Sequence, residues 1–452
     1  MREMKDSGIQ WLREYPANWD LIKIKYCLKE RVEKNNPVRT TDILSLTAKQ
    51  GVIPYDQKEG GGNKPKEDVS AYRLAYPGDI VMNSMNILSG SVGLSNYFGC
   101  VSPVYYMLRP IDKSEDVRFY NYIFQSTVFQ RSLYGLGNGI LIKESGNGKL
   151  NTIRMRIPID KFGGLFIPVA PIQEQKHIAD FLDAKCTEID ALTADIQTQI
   201  DTLEQYKRSV ITEAVTKGLN PDVEMKDSGI EWIGKIPVSW SFPKITHILD
   251  YSHPYPIGDG DHGSIKSTEY KDEGIPFIRV QNLGFATELN LENIVYISES
   301  QNETIKNSSL FPGDVLFAKT GATIGKVGIV PKEIQIANTT SHVGKITVSR
   351  DINSKFVFYV LASYVGYKQF WDIAAQKSTR PELSIDEIKT IHVLLPQTIE
   401  EQIEIVAYLD AKCIQIDGAI QNKKEQLVTL DEYKKSLIYE YVTGKKEVPE
   451  NA

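Results

Sequence analysis

Two short segments contain residue types found in nucleotide-binding or catalytic motifs. The segment Gly321-Ala-Thr-Ile-Gly325-Lys326 has the glycines and the lysine of a phosphate-binding loop. Its glycines are four positions apart instead of five, and Val327 occupies the place of the Ser or Thr that binds magnesium. Asp222, Glu224 and Lys226 match a nuclease carboxylate–lysine pattern, but the two carboxylates are too close in sequence to come from separate strands. Neither segment therefore predicts a catalytic site.

The remaining residue types that could do chemistry do not form a recognisable pattern either. The four cysteines are dispersed and the six histidines have no metal-ligand spacing, which favours buried free thiols and a metal-free protein. There is no Asn/Asp-Pro-Pro-aromatic tetrapeptide of an amino-methyltransferase and no glycine-rich cofactor loop after an initial strand. The sequence predicts a chain that is not itself an enzyme and holds no cofactor.

Clusters of basic and polar residues, interleaved with glycine and aromatic residues, are the remaining candidates. Arg, Lys, Asn and Gln have donors and acceptors that suit base edges, whereas Thr, Ser and glycine amides suit phosphates. The alternative is that these are solvated loops built of turn residues. The candidates are Arg73, Asn83, Ser84, Asn86, Asn138, Lys143, Lys149, Arg154, Arg279, Gln281, Asn282, Lys319, Thr320, Thr323, Lys326, Asn338, Thr339, His342, Lys377, Thr379 and Arg380.

The distribution of charge is compatible with binding to a polyanion. The chain has a net charge of −6, but residues 1–170 contain 23 Lys and Arg against 17 Asp and Glu. A local basic face is what phosphates experience, so the overall negative charge does not exclude nucleic acid. No segment approaches the roughly 20 apolar residues of a membrane span, and the first residues lack the apolar run of a signal peptide. A cytoplasmic protein is expected.

An internal duplication supplies the elements that must position these clusters. Residues 4–19 recur as residues 225–240 with nine of sixteen identical, including the sequence Lys-Asp-Ser-Gly-Ile-x-Trp. Leu182-Asp-Ala-Lys-Cys186 recurs 227 positions later as Leu409-Asp-Ala-Lys-Cys413. The chain is therefore predicted to contain two repeats of about 225 residues, each a globular domain followed by a long helix.

The helical part of each repeat has the heptad pattern of a coiled coil. Residues 172–216 would form a helix roughly 68 Å long at about 1.5 Å per residue. Because its apolar stripe is narrow, we expect it to need a partner, and repeats related by a pseudo-twofold axis would pair the two helices antiparallel. Asp183 and Asp410 face away from this stripe and are interpreted as solvated or partner-docking residues. The predicted pairing residues are Leu182, Cys186, Ile189, Ile196, Ile200, Leu203, Val210, Leu409, Cys413, Ile416, Ile420, Leu427, Leu430 and Leu437.

The predicted fold class is α+β. It is a tandem duplication of two mixed α/β domains, each followed by a long helix, and the helices form an antiparallel coiled coil with pseudo-twofold symmetry. Pro-Gly-Asp at 77–79 and 312–314 predicts a type II turn that leads into a strand. The expected boundaries are 1–170 and 218–396 for the domains, 171–217 and 397–446 for the helices, and 447–452 for a disordered tail.

Taken together, these motifs resemble the specificity subunits of type I restriction-modification systems over nearly the whole chain. The motifs that carry the resemblance are Lys-Asp-Ser-Gly-Ile-x-Trp, the Pro-Gly-Asp turns, Lys319-Thr-Gly-Ala-Thr-Ile-Gly325, Pro171-Ile-Gln-Glu-Gln175, the duplicated Leu-Asp-Ala-Lys-Cys, and the Tyr-Lys-x-Ser sequences at 206–209 and 433–436.

The resemblance implies that the two domains are target recognition domains, each reading one half of a bipartite double-stranded DNA site, with the helices as a spacer. It also implies two modification (methyltransferase) subunits docked on the helices, and restriction (translocase and endonuclease) subunits in a larger assembly. S-adenosylmethionine, ATP and Mg would be bound by those partners, which would methylate adenine and cleave DNA. Residues 82–90 lack the Lys-Thr-Gly-Ala series, which leaves the contact residues of the first domain less defined.

Two other interpretations of the sequence stay open. The chain could be a non-catalytic coiled-coil adaptor that binds protein partners rather than DNA, in which case the polar clusters are solvated loops. A self-sufficient methyltransferase or nuclease would need a cofactor or metal site that the sequence does not show.

Overall fold

A computed structural model describes residues 2–47, 50–58, 65–140, 143–144, 150–151, 154–376 and 381–449. For residues 138–140, 143–144, 150–151 and 154–155 it describes only the backbone. The fold is α+β, and the chain divides into two compact units. The first unit contains residues 1–196 and 425–452, and the second contains residues 197–424, so each unit includes a part of both long helices.

The elements up to the end of the first long helix are short apart from that helix. The strands are β1 Met4–Asp6, β2 Glu14–Pro16, β3 Asp20–Lys23, β4 Leu28–Glu30, β5 Leu44–Thr47, β6 Gly51–Pro54, β7 Arg73–Ala75, β8 Ile80–Asn83, β9 Val92–Leu94, β10 Gly99–Val101, β11 Tyr105–Pro110, β12 Asn138–Ile140, β13 Lys143–Glu144, β14 Leu150–Asn151, β15 Arg154–Arg156 and β16 Phe166–Val169. The helices are α1 Ile24–Cys27, α2 Val117–Gln125, α3 Thr127–Ser132, α4 Ile159–Gly163 and α5 Ile172–Lys217.

The rest of the chain repeats this organisation. The strands are β17 Met225–Asp227, β18 Lys235–Pro237, β19 Ile257–Asp259, β20 Ile275–Ile278, β21 Val295–Ile297, β22 Val315–Ala318, β23 Val327–Ile329, β24 Asn338–Thr339 and β25 Val343–Ile346. The helices are α6 Glu299–Thr304, α7 Ser354–Ala362, α8 Tyr364–Ala374, α9 Ile385–Ile388 and α10 Ile399–Val442.

Each unit contains a four-stranded antiparallel sheet with the same order of equivalent strands. The order is β4-β11-β8-β9 in the first unit and β19-β25-β22-β23 in the second. The Pro-Gly-Asp turns precede β8 and β22, and Gly78 and Gly313 have φ of 83° and 86°, as position i+2 of a type II turn requires. The two repeats therefore share the frame of one domain.

The two long helices contact each other inside each unit. In the first unit Lys434 Nζ of α10 lies 2.6 Å from Asp190 Oδ1 of α5. In the second unit Lys207 Nζ of α5 lies 2.7 Å from Asp417 Oδ2 of α10. Phe181 also packs against Tyr441 in the first unit, and Lys423 donates to Gln199 in the second, so within each unit residue numbers rise along α5 as they fall along α10 and the contacts are antiparallel. Each ion pair joins the lysine of one Tyr-Lys-x-Ser motif to the aspartate of the Ile-Asp motif in the other repeat.

The predicted pairing residues lie on the inner faces of the helices. Leu182, Cys186, Ile189, Ile196, Ile200, Leu409, Cys413, Ile416, Ile420 and Leu437 are buried. Leu203, Val210, Leu427 and Leu430 are half-buried. All four cysteines of the chain are buried free thiols, and burial raises the pKa of Cys186 and Cys413 above its ordinary value.

The duplicated tryptophans attach each domain to a long helix. Trp19 Nε1 donates to Glu174 Oε2 at 2.8 Å, and Trp240 Nε1 donates to Glu401 Oε1 at 2.9 Å. Both tryptophans are about 1% exposed and belong to the main apolar core of their unit. The duplicated tryptophan segments therefore have a structural role.

Asp183 and Asp410 are only partly solvated, with side chains that are 44% and 33% exposed, and partner docking stays a prediction for them. Asp183 accepts hydrogen bonds from Arg118 and Tyr122, and Asp410 accepts them from Lys355 and Tyr359. The heptad pattern correctly predicted that these carboxylates point away from the other long helix. It could not predict that a domain packs against that side of the helix.

One further property follows from the described part of the chain. Within the described residues, no helix combines the length and the apolarity that crossing a bilayer requires.

The two helix–helix ion pairs differ in burial and should differ in energetic weight. The Lys207 side chain is 5% exposed, whereas the side chains of Lys434 and Asp190 are 29% and 63% exposed. Asp417 is 42% exposed, so solvent screens this pair in part; Asp417→Asn leaves the buried Lys207 ammonium without its carboxylate and should lower the free energy of unfolding by about 2 kcal/mol. Asp190→Asn, the matched change, should cost less than about 1 kcal/mol. Thermal and denaturant unfolding of both variants measures the difference, and equal losses would contradict this account.

Candidate nucleic-acid interface

The polar cluster of the second unit lies at one edge of its four-stranded sheet. Strands β19 and β22 both pair antiparallel with β25, so they run in the same direction and their carboxyl ends meet at the same edge. Asp259 is the last residue of β19, Lys319 follows β22, and His342 precedes β25. The backbone joins two of these positions, since Lys319 N donates to the His342 carbonyl at 3.0 Å.

The ammonium of Lys319 is neutralised at this edge. Lys319 Nζ forms an ion pair with the Asp259 carboxylate, and the Lys319 side chain is only 5% exposed. The other Asp259 oxygen lies 3.2 Å from His262 Nε2, on a side chain that is 71% exposed. The surface of the edge therefore presents an imidazole rather than a free lysine. Sequence reasoning missed Asp259 and His262, because the Gly-Asp-Gly-Asp-His sequence at 258–262 indicates only a turn.

The loop after Lys319 uses its polar groups to hold its own shape. Thr323 Oγ1 donates to the Thr320 carbonyl at 2.7 Å, and Thr320 Oγ1 lies 3.3 Å from Nδ1 of the exposed His342. The Gly321 amide, at φ 59°, donates to the Pro381 carbonyl at 2.8 Å. The amides of Gly321, Ile324 and Lys326 in this loop therefore donate inside the protein.

A neighbouring sheet brings a second group of candidates to its edge. Strand β20 pairs in parallel with β24, so the residues that follow β20 and β24 lie at the same edge of that sheet. Arg279 follows β20, and its Nη2 donates to the Asn293 carbonyl at 2.8 Å. Gln281 is exposed, whereas Asn282 is buried and donates to the Asn290 carbonyl at 2.7 Å. Of this cluster, Gln281 is the residue free to extend into solvent.

Several predicted contact residues of the second unit are internal instead. Asn338 and Thr339 are fully buried, with hydrogen bonds from Asn338 to Asn302 and from Thr339 to the Ile278 carbonyl. Their side chains already bind the interior of the domain, so they are not available at its surface. Lys326 is half-buried, with its ammonium 6.0 Å from the Phe285 ring centroid. Lys377, Thr379 and Arg380 lie outside the described residues.

The first unit places its candidates at the corresponding edge with different chemistry. Arg73 forms an ion pair with Glu30, the last residue of β4, at 2.5 Å, and donates to the Tyr105 carbonyl at 3.2 Å. Asn83 is the last residue of β8 and Ser84 follows it, and both are buried. Ser84 Oγ donates to the Val104 carbonyl, and Asn83 Oδ1 accepts a hydrogen bond from the Met85 amide. Asn86 is exposed.

The remaining candidates of the first unit form a separate group. Asn138, Lys143 and Arg154 lie in the strands β12, β13 and β15, for which only the backbone is described. Lys149 lies outside the described residues. The DNA contacts predicted for these four residues therefore stay a prediction.

The exposed groups at these strand ends can form hydrogen bonds with a ligand. In the second unit the exposed groups are a carboxamide and two imidazoles, and in the first they are a carboxamide and a partly exposed guanidinium. These groups donate and accept hydrogen bonds in the way that base edges require. Over the part of the chain that is described, His, Cys, Asp and Glu do not gather into a group able to hold a metal ion.

Comparison with known proteins relates the chain to one family. Residues 260–429 match the model of the type I restriction modification DNA specificity domain. The chain is 27% identical over 296 residues to the type I restriction enzyme MjaVIII specificity subunit of Methanocaldococcus jannaschii, covering 64% of each chain. It is 30% identical over 271 residues to the EcoBI specificity subunit of Escherichia coli, covering 56% of this chain and 54% of that one. The matches thus span less than two thirds of these relatives.

A solved structure shows the same fold over nearly the full length. It comes from work on complex assembly and conformational transition of the type I R-M system, and it aligns with a TM-score of 0.64 at 15% identity. The alignment covers 96% of this chain and 99% of the other. The resemblance found in the sequence motifs is confirmed: the domain match, the relatives and the fold all relate the chain to the specificity subunits of type I restriction-modification systems.

Proposed function

We propose that this chain reads a bipartite DNA site on behalf of a type I restriction-modification complex. Each domain reads one half of the site at the loop edge of its four-stranded sheet. The chain performs no chemistry; two modification subunits dock on its helices and methylate adenine with S-adenosylmethionine. Restriction subunits supply ATP- and Mg-dependent translocation and cleavage.

The repetition of one polar edge in both units carries this proposal. Both sheets have the same strand order, and both put exposed hydrogen-bonding groups where equivalent strands end. The residues differ between the units: Asn86 and Arg73 in the first, and His262 and His342 in the second, where Gln281 at the end of the neighbouring sheet adds a further exposed group. A constant frame with a variable edge is what a protein needs to read two different half-sites with one architecture.

The helices provide the spacing in this proposal. The repeated cross-pairs, Lys434 with Asp190 and Lys207 with Asp417, support one antiparallel coiled coil with pseudo-twofold symmetry. Such a coiled coil would act as a ruler that fixes the number of base pairs between the half-sites.

Exchange of one domain tests the division of labour between the domains. We expect that replacing residues 1–170 with the corresponding part of a relative of different specificity changes one half of the methylated motif and leaves the other unchanged. Long-read mapping of methylated adenines in a host that expresses the complex measures both halves at once. A motif unchanged in both halves would refute the proposal.

Exposed side chains at the strand ends of the second unit should determine the second half-site. Gln281→Ala and His342→Ala each remove an exposed group that can contact a base edge, so methylation should fall by about tenfold or more and the second half of the motif should relax. Gln335→Ala is the matched control, since Gln335 is exposed in the same domain but precedes β24, at the opposite end of that sheet from Gln281. Loss of activity with both halves of the motif still fully selective would argue against this edge.

Salt dependence separates DNA reading from the adaptor interpretation. A DNA-reading complex of this chain with its modification subunit should lose affinity for a DNA duplex linearly in log–log form as salt rises. An adaptor that binds only protein partners would give a complex without this dependence. Fluorescence anisotropy between low and physiological salt distinguishes the two outcomes.

A further inference from the structure

The beginning of each long helix is tied to its own domain by a hydrogen-bonding cluster in which the tyrosine is buried and the carboxylate is partly exposed. In the first unit Asp183 accepts a hydrogen bond from the Tyr122 hydroxyl at 2.6 Å and one from Arg118 Nη1 at 2.7 Å. The donors lie on α2, and the carboxylate lies in the duplicated Leu-Asp-Ala-Lys-Cys sequence of α5. We name this group of three residues the first clamp.

The second unit contains the same cluster. Asp410 accepts a hydrogen bond from the Tyr359 hydroxyl at 2.6 Å and one from Lys355 Nζ at 2.8 Å. We name these three residues the second clamp. The chain between tyrosine and carboxylate is 61 residues long in the first unit and 51 in the second, yet the same geometry is present in both. The clamps therefore belong to the frame and not to the variable interior.

The protonation state of the tyrosines makes the clamps directional. Burial, together with the neighbouring carboxylate, raises the pKa of Tyr122 and of Tyr359 far above its ordinary value. Both hydroxyls therefore stay protonated and donate to a carboxylate, a charge-assisted hydrogen bond that is stronger and shorter than a neutral one. Apolar contacts are non-directional and tolerate small rotations, whereas a hydrogen bond weakens steeply when its angle changes.

A second attachment point turns each clamp into a constraint on angle. The tryptophan–glutamate bond of the same unit, Trp19 to Glu174 or Trp240 to Glu401, lies nine residues earlier on the helix. At about 1.5 Å per residue, the two attachment points are separated by roughly 13 Å along the helix axis. Two polar attachments at this separation fix both the rotation and the tilt of the domain on the helix.

We infer that the two clamps are positioning elements for spacing selectivity. They contact no base; they fix the angle at which each domain stands on its helix, and thereby the half-site separation that the complex accepts. This inference rests on the proposed function and assigns the constraint to Asp183 with Tyr122 and to Asp410 with Tyr359. Weakening either clamp should widen the range of accepted spacers without changing the half-site sequences.

Tyr359→Phe in the complete complex is the most direct test. It removes one hydroxyl and keeps the ring packed, and Asp410→Asn is the stronger change in the same clamp. The substrates are DNA duplexes with both native half-sites and a spacer that is native or one or two base pairs shorter or longer. We expect the preference for the native spacer to fall by about fivefold to tenfold, the effect of losing one charge-assisted hydrogen bond. Tyr122→Phe should act in the same way.

The controls separate positioning from stability and from DNA reading. Glu404→Gln removes an exposed charge from the same helix and should leave spacer preference unchanged. Melting temperatures of all variants are measured in parallel, since general destabilisation lowers methylation of every substrate equally and leaves the ratio unchanged. Undiminished spacer selectivity in Tyr359→Phe and Asp410→Asn would overturn the inference alone. A native complex that methylates without regard to either half-site would overturn the proposed function together with the inference.

Discussion

A helix of 46 residues with a narrow apolar stripe is not stable by itself in water, and this chain contains such a helix and a second one of 44 residues. Each is stabilised by contact with the other and by the domain that precedes it. The side of each helix that faces the other helix consists mainly of apolar residues, and on α5 it also includes the buried Lys207. The opposite side, near the beginning of each helix, carries the clamp carboxylate.

The frame of the fold was predictable because its motifs are repeated within the chain. Repetition at a constant shift revealed the two domains and the two helices, and the heptad pattern indicated which helix residues are inside. The pattern cannot say what lies against the outer side of a helix. For that reason Asp183 was interpreted as solvated, although it binds Arg118 and Tyr122.

The candidate site was predictable only in part, for a different physical reason. Residue type shows what a side chain can bind, but it does not show whether the side chain is already bound. Asn338 and Thr339 have donors and acceptors that suit base edges, but these groups form hydrogen bonds inside the domain. Conversely, Asp259 and His262 carry no motif and become recognisable only when β19 is placed beside β22 through β25.

The interiors of the two domains show how the frame tolerates divergence. The aspartate of the Pro-Gly-Asp turn is buried in both units and caps the turn, but its cation comes from a different strand in each. Asp79 pairs with Arg31 at 2.9 Å, whereas Asp314 lies 3.8 Å from Lys345. In the second unit burial raises the pKa of Asp314 and lowers that of Lys345, a cost that the other hydrogen bonds of the pair offset.

The composition of the units also determines the order in which they can be completed during synthesis. The second unit is continuous from residue 197 to 424, so all of its residues are synthesised before residues 425–442 of α10. Synthesis of the first unit starts earlier, but its apolar core needs Leu437, Ile438, Tyr441 and Val442 of α10. Its core must therefore stay incomplete until these residues are available. Of the two units, the one that is begun first is completed second.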